Sequence, residues 1–118
     1  MEPRRKILIV EDEWIIALDL KTSLERRGYD ALGPAPNVAE ALALIQGEQV
    51  DGAILDVKLF DETSFAVADV LQERCIPYVF STGYNPEELP AKYSEAAVLG
   101  KPHDERELLA ALRLMFGG

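Results

Sequence analysis

Short apolar runs alternate along this chain with longer stretches in which apolar residues recur every three or four positions. Ile7-Leu8-Ile9-Val10 is apolar at four consecutive positions, the pattern of a strand buried on both faces. From Trp14 to Arg27 the apolar positions Ala17, Leu20 and Leu24 fall at helical spacing, and Gly28 marks the stop. Tyr29 to Gly33 reads as a weaker strand ended by Pro34 and Pro36. Asn37 with Glu40 forms an N-cap and its partner before Val38, Ala41, Leu42 and Ile45, and Gly47 closes that helix. Gly52-Ala53-Ile54-Leu55 is a strand running into Asp56, and Thr63 to Arg74 carries Val67, Val70 and Leu71 on one helical face. Pro77-Tyr78-Val79-Phe80 is the next strand, with its proline at the start, where one is tolerated. Asn85 to Tyr93, with Pro86 and Pro90, predicts a short or broken helix. Ala97-Val98-Leu99 is a last strand, and Asp104 with Glu107 caps a helix carrying Leu108, Leu112 and Met115.

Five strand–helix units follow, in an α/β order that predicts a parallel sheet with helices on both faces. Right-handed crossovers bring every strand's C-terminal end to one edge, where ligands of open sheets bind. Composition sets limits on this picture. A chain of 118 residues fits one domain, 1–118. The net charge of −9 argues against a broad nucleic-acid or anionic-lipid surface. No apolar run reaches the roughly 20 residues of a membrane span. The basic start Arg4-Arg5-Lys6 has the wrong shape for a signal peptide, so a cytoplasmic protein is expected. Cys75 has no partner for a disulfide and reads as a buried, inert thiol, and no Cys/His cluster suggests zinc.

The polar residues at the expected strand ends point to chemistry. Strand one delivers Glu11, Asp12 and Glu13; strand three, Asp56; strand four, Ser81, Thr82 and Gly83; strand five, Gly100, Lys101 and Pro102. Carboxylates, a hydroxyl and an ammonium converge only if the chain folds as described. That set suits phosphoryl transfer to a carboxylate assisted by Mg²⁺, which prefers oxygen ligands. Glu11 and Asp12 would supply ligands, Asp56 both a ligand and the nucleophile, Thr82 a bond to a phosphoryl oxygen, and Lys101 a countercharge.

These residues, in this order, resemble the response-regulator receiver domain of two-component systems. The acidic pair ends Ile9-Val10-Glu11-Asp12, the acceptor lies in Ile54-Leu55-Asp56-Val57-Lys58-Leu59, and Lys101-Pro102 follows strand five. The resemblance runs from about Lys6 to Phe116. Pro77-Tyr78-Val79-Phe80-Ser81-Thr82-Gly83-Tyr84 is similar to the signature of the FATGUY subfamily, often single-domain regulators. The resemblance implies a flavodoxin-like (βα)5 sheet of strand order 2-1-3-4-5. It also implies phosphorylation of Asp56 by a histidine kinase or phosphotransfer protein in a bacterial phosphorelay. Mg²⁺ would be held also by the backbone carbonyl of Lys58, the Lys101–Pro102 peptide would be cis, and a downstream protein would read the phosphorylated state. The family is a switch that assists its own phosphotransfer and dephosphorylation rather than a conventional enzyme, and a monomer or weak homodimer is expected.

The chain departs from the family pattern at two places. The acidic pair is Glu-Asp, and Val98 stands where many receivers carry an aromatic switch residue, which makes Tyr84 the substitute candidate. Lys58 sets a long cation beside the acceptor. Plainer readings exist for each residue. Glu11, Asp12 and Glu13 could serve the next helix dipole, Glu13 above all. Thr82 could be a helix cap, Lys101 a surface lysine and His103 a loop residue, and Trp14 covers the site edge or has no role. A pseudo-receiver that binds partners without phosphate is the competing function. An aspartyl phosphohydrolase fits poorly, because Lys58 stands where haloacid dehalogenases place a second Asp. A flavodoxin lacks its phosphate loop here. No output domain follows Phe116, as in a single-domain regulator or a fragment.

Overall fold

The computed structural model describes residues 4–82, 89–93, 97–101 and 104–117. The five strands are β1 (Lys6–Val10), β2 (Asp30–Ala35), β3 (Gly52–Asp56), β4 (Tyr78–Thr82) and β5 (Ala97–Gly100). They pair in parallel as one sheet of order β2-β1-β3-β4-β5. Four helices are described: α1 (Trp14–Arg26), α2 (Val38–Gly47), α3 (Phe65–Glu73) and α4 (Glu105–Phe116). In the irregular stretch before β5, Ala91–Tyr93 forms a single 3₁₀ turn, and residues 85–88 of the expected broken helix lie outside the described residues.

The sheet buries both faces, which explains the continuous apolar runs. Side chains of a strand alternate between faces. Leu8, Val10, Leu55 and Phe80 pack on one side with Ala41 and Ile45 of α2 and Val67, Ala68 and Leu71 of α3. Ile7, Ile9, Ile54, Val79 and Leu99 pack on the other with Ala17, Leu20 and Leu24 of α1 and Leu108 and Leu112 of α4. Caps fix the helix ends as the sequence implies. Asn37 Oδ1 accepts from Glu40 N and Asp104 Oδ1 from Glu107 N, both at 2.9 Å. Glu105 ties α4 to α1 by accepting from Ser23 Oγ at 2.7 Å and pairing with Arg27 at 3.0 Å.

Two expectations need correction. β2 does not end at Gly33; it runs through Pro34 to Ala35. β2 is an edge strand, where a missing N–H is tolerated, and its register shifts between Leu8 and Val10 to admit the extra residue. Gly33 makes this workable: at φ +97° a β-carbon there would sit 2.7 Å from Ala35 N and 2.9 Å from Ile9 O. Cys75, in turn, is exposed rather than buried. It occupies the left-handed position after α3, at φ 57°. There Cys75 N donates to Gln72 O and Ile76 N to Leu71 O, closing the helix in a Schellman turn. Gly28 holds the same place after α1, with Gly28 N donating to Glu25 O and Tyr29 N to Leu24 O.

The same turn is thus built once with glycine and once with a residue that carries a β-carbon. A left-handed conformation costs an ordinary residue about 1–2 kcal/mol, against about 0.5–1 kcal/mol for glycine's extra freedom when unfolded. Cys75→Gly should therefore stabilise the fold by about 0.5–1 kcal/mol, read as a rise of a few degrees in the thermal midpoint. A lowered midpoint would contradict this account of the turn.

Candidate functional site

The C-terminal ends of β1, β3, β4 and β5 meet at one edge of the sheet. Strand alternation decides which side chains gather there. Glu11 follows Ile9 by two positions, Asp56 follows Ile54, and Lys101 follows Leu99, so all three extend the face packed against α1 and α4. Thr82 follows Phe80 and belongs to the opposite face. Glu11, Asp56 and Thr82 are all buried, at 2%, 7% and 3% exposure, while Asp12 is half-buried.

Lys101 Nζ donates to Glu11 Oε2 at 2.9 Å and lies 3.2 Å from Asp56 Oδ1. Glu11 Oε1 also accepts from Glu13 N at 3.2 Å, at the turn into α1. Glu13 is the N-cap of α1, without a side-chain capping bond. Glu11, Asp12 and Asp56 each offer one oxygen within 4.8 Å of the others. Three carboxylates so close repel one another, and one ammonium offsets only part of that. Burial pushes the Asp56 carboxyl up from 3.8 to about 6, and the charges of Glu11 and Asp12 push the same way, against the pull of Lys101. Burial works against the Lys101 charge, but its hydrogen bond to Glu11 and the nearby charges of Asp56 and Glu11 outweigh that and hold its pKa above the usual value. A hard divalent cation fits this donor set, because all three ligands are oxygens and their shared charge is under-compensated.

The β3–α3 connection borders the cluster. Ser64 N returns to Val57 O at 3.0 Å and Val57 N donates to Ser81 O at 3.2 Å, so the residues after Asp56 are held against β4. Lys58 is exposed, and its backbone pairs with Thr63 in a one-residue antiparallel bridge. A mostly apolar cleft of about 480 Å³ opens beside Thr82, lined by Val57, Leu59, Phe65 and Leu89. Trp14 stands 68% exposed at the start of α1, and Val98 is half-buried opposite Phe80. Gly83, Tyr84, Pro102 and His103 lie outside the described residues, and with them the candidate switch and the Lys101–Pro102 peptide.

Glu11, Asp12, Asp56 and Lys101 are thus brought together, with Thr82 on the adjoining strand end. A second polar group was not anticipated. Tyr93 OH donates to Asp69 Oδ1 at 2.6 Å, Lys92 Nζ pairs with the same oxygen at 2.8 Å, and the Tyr93 ring stacks on Phe65. Burial first, then Asp69, pushes the Tyr93 phenol up to about 12. This cluster fastens the 3₁₀ turn to α3. Its members lie too far apart in the chain for any local pattern to reveal it.

Comparison with known proteins agrees with this fold. A sequence profile of the response regulator receiver domain matches residues 7–113. The fold is similar to the solution structure of SdrG from Sphingomonas melonis Fr1, with a TM-score of 0.86, 38% identity and 98% coverage of both chains. It is also similar to SdrG from Pseudomonas melonis Fr1 in its BeF3-activated conformation, with a TM-score of 0.79, 40% identity and coverage of 95% of this chain and 98% of that one. In sequence, the transcriptional regulatory protein PdtaR of Mycobacterium tuberculosis is 32% identical over 93% of this chain and 56% of its own length. The chain spans about half the length of the curated relatives it matches.

The Asp56 environment has a consequence for stability. Its folded value near 6 lies above the ordinary 3.8, so the fold favours the neutral carboxyl. The stability this lends is complete below about pH 4 and is lost as pH rises through about 6 and Asp56 ionises. Asp56→Asn, which cannot ionise, should be more stable than wild type by about 2 kcal/mol at pH 8 in a chelator. The gap should close by pH 4. Thermal melts at the two pH values check this, and a variant no more stable than wild type at pH 8 would contradict it.

Proposed function

The chain belongs to the response regulator receiver domain family, and from that premise we propose that it is a phosphorylatable switch whose acceptor is Asp56. The observation that carries this reading is a buried carboxylate whose oxygen lies 3.2 Å from Lys101 Nζ, inside a three-carboxylate cluster at the sheet edge. The donor is the phosphohistidine of a histidine kinase or phosphotransfer protein. An Asp56 oxygen attacks phosphorus opposite the phosphorus–nitrogen bond. The new phosphorus–oxygen bond forms as the old bond breaks, and its electron pair stays on the departing imidazole, which takes up a proton. The product is an acyl phosphate.

Glu11, Asp12, Asp56 and the backbone carbonyl of Lys58 would hold Mg²⁺. When bound, it offsets the repulsion between the carboxylates and the incoming phosphoryl oxygens. Lys101 supplies positive charge from the β5 side. The Thr82 hydroxyl donates to a phosphoryl oxygen once one is present, which draws the residues after β4 toward the site. The changed surface near β5 and α4 then contacts a downstream protein. We read residues 1–118 as one receiver domain of a bacterial two-component system. It would work in the cytoplasm as a monomer or weak homodimer, and catalyse only its own phosphotransfer and dephosphorylation. The similarity to SdrG, known in a BeF3-activated conformation, supports this reading. The alternative is a pseudo-receiver that binds its partner without phosphate.

Acetyl phosphate with Mg²⁺ should label the wild-type protein with one phosphoryl group, read by intact-mass spectrometry. Asp56→Asn and chelation should each abolish the labelling, and Lys101→Ala should slow it by roughly tenfold or more. An unlabelled wild type that still binds its partner would select the pseudo-receiver.

A further inference from the structure

A buried hydroxyl in a folded protein is nearly always hydrogen-bonded. Ser81 Oγ is not: the residue is 1% exposed and its hydroxyl has no partner among the described residues. Its place makes this informative. Ser81 is paired with Asp56 on one side and with Leu99 on the other. It follows Val79 by two positions, so it lies on the same face as Glu11, Asp56 and Lys101. The row across this face at the sheet edge therefore reads Glu11, Asp56, Ser81, Leu99, with Lys101 one step beyond Leu99.

Lys101 leaves β5, yet its ammonium bonds to Glu11 at the end of β1 and lies beside Asp56 on β3. β4 stands between β5 and β3. The backbones of β5 and β3 lie two strand spacings or roughly 10 Å apart, so the lysine side chain must reach over β4 to meet the Asp56 carboxylate. The residue of β4 in that row on that face is Ser81. A small side chain there leaves room for the crossing, and its hydroxyl is a spare hydrogen-bond group beside the path.

A cation held by Glu11 and Asp56 would compete with Lys101 for the same oxygens, and a phosphoryl group on Asp56 would consume another. The ammonium would then need a replacement acceptor close by. We propose that Ser81 is a positioning residue for Lys101: its hydroxyl accepts from the ammonium once the carboxylates are engaged, and so holds it toward the phosphoryl oxygens. This rests on the phosphoacceptor reading of Asp56. It also accounts for an unpartnered buried hydroxyl, which by itself costs stability.

The test is a double-mutant cycle with beryllofluoride and Mg²⁺ as the probe, followed by amide NMR titration and by the rate of labelling with acetyl phosphate. Ser81→Ala should weaken beryllofluoride affinity and slow labelling by about three- to tenfold, the effect of one hydrogen bond. Its affinity for Mg²⁺ alone should stay within about twofold of wild type, and its thermal midpoint should be equal or higher, since only an unpartnered hydroxyl is removed. A purely structural role would lower the midpoint instead. In a Lys101→Ala background the same change should have no further effect on either readout. Ser81→Cys, close in size but a weak hydrogen-bonding group, should behave like alanine and serves if alanine disturbs the core. Wild-type affinity and rate in Ser81→Ala, or an equal loss without Lys101, would overturn the inference alone. A wild type that binds no beryllofluoride would overturn the phosphoacceptor reading and this inference together.

Discussion

A parallel sheet covered by helices on both sides leaves its strands almost no place for a polar side chain. Every residue of β3, from Gly52 to Asp56, is buried, and the neighbouring strands differ little. Along β3 and β4 this burial favours apolar residues on either face, and the buried polar ones, Asp56, Ser81 and Thr82, stand in the last two positions. Polar groups can appear where the ladder ends and helices no longer cover the face. The concentration of carboxylates, hydroxyls and an ammonium at one edge thus follows from the same burial that stabilises the domain. The chemistry sits where the architecture first allows charge.

That edge is electrostatically unfinished. Among the described residues, three acidic groups gather beside one ammonium, which pairs with two of them, and those two are largely withdrawn from water. An arrangement of this kind favours whatever brings positive charge or redistributes the negative one. Burial first, and then the charge of Glu11, raise the Asp56 carboxyl toward neutrality, and the same conditions make the site receptive to a divalent cation and responsive to a change in its own charge. Stability is given up locally in exchange for a site with two distinguishable electrostatic states.

Much of this was legible in the chain. The apolar runs at Ile7–Val10 and Gly52–Leu55 identified the central strands because burial on both faces leaves an unbroken signature. The caps at Asn37 and Asp104 were legible because their bonds reach only three residues. The carboxylates and Lys101 could be gathered at one edge because parallel topology dictates it. What escaped was either tertiary or backbone-specific. Pro34 looked like a strand end, since nothing local showed that β2 lies at the sheet edge and carries a bulge. Cys75 looked buried, since its left-handed turn is more familiar with glycine. The bond from Tyr93 to Asp69 and the reach of Lys101 across β4 depend on which elements are neighbours in space, which no window of sequence reports.

The carboxylates stand on β1 and β3, in the middle of the sheet, but the ammonium that holds them comes from β5, a four-residue strand at the edge. Edge strands have one ladder instead of two and open more readily than central ones. Lys101 therefore works as a tether as well as a countercharge, its two ion pairs fastening the end of β5 to the interior. Any event that draws Glu11 and Asp56 away from the ammonium slackens that tether. Amide exchange along β5 would then report the charge state of a carboxylate two strands away.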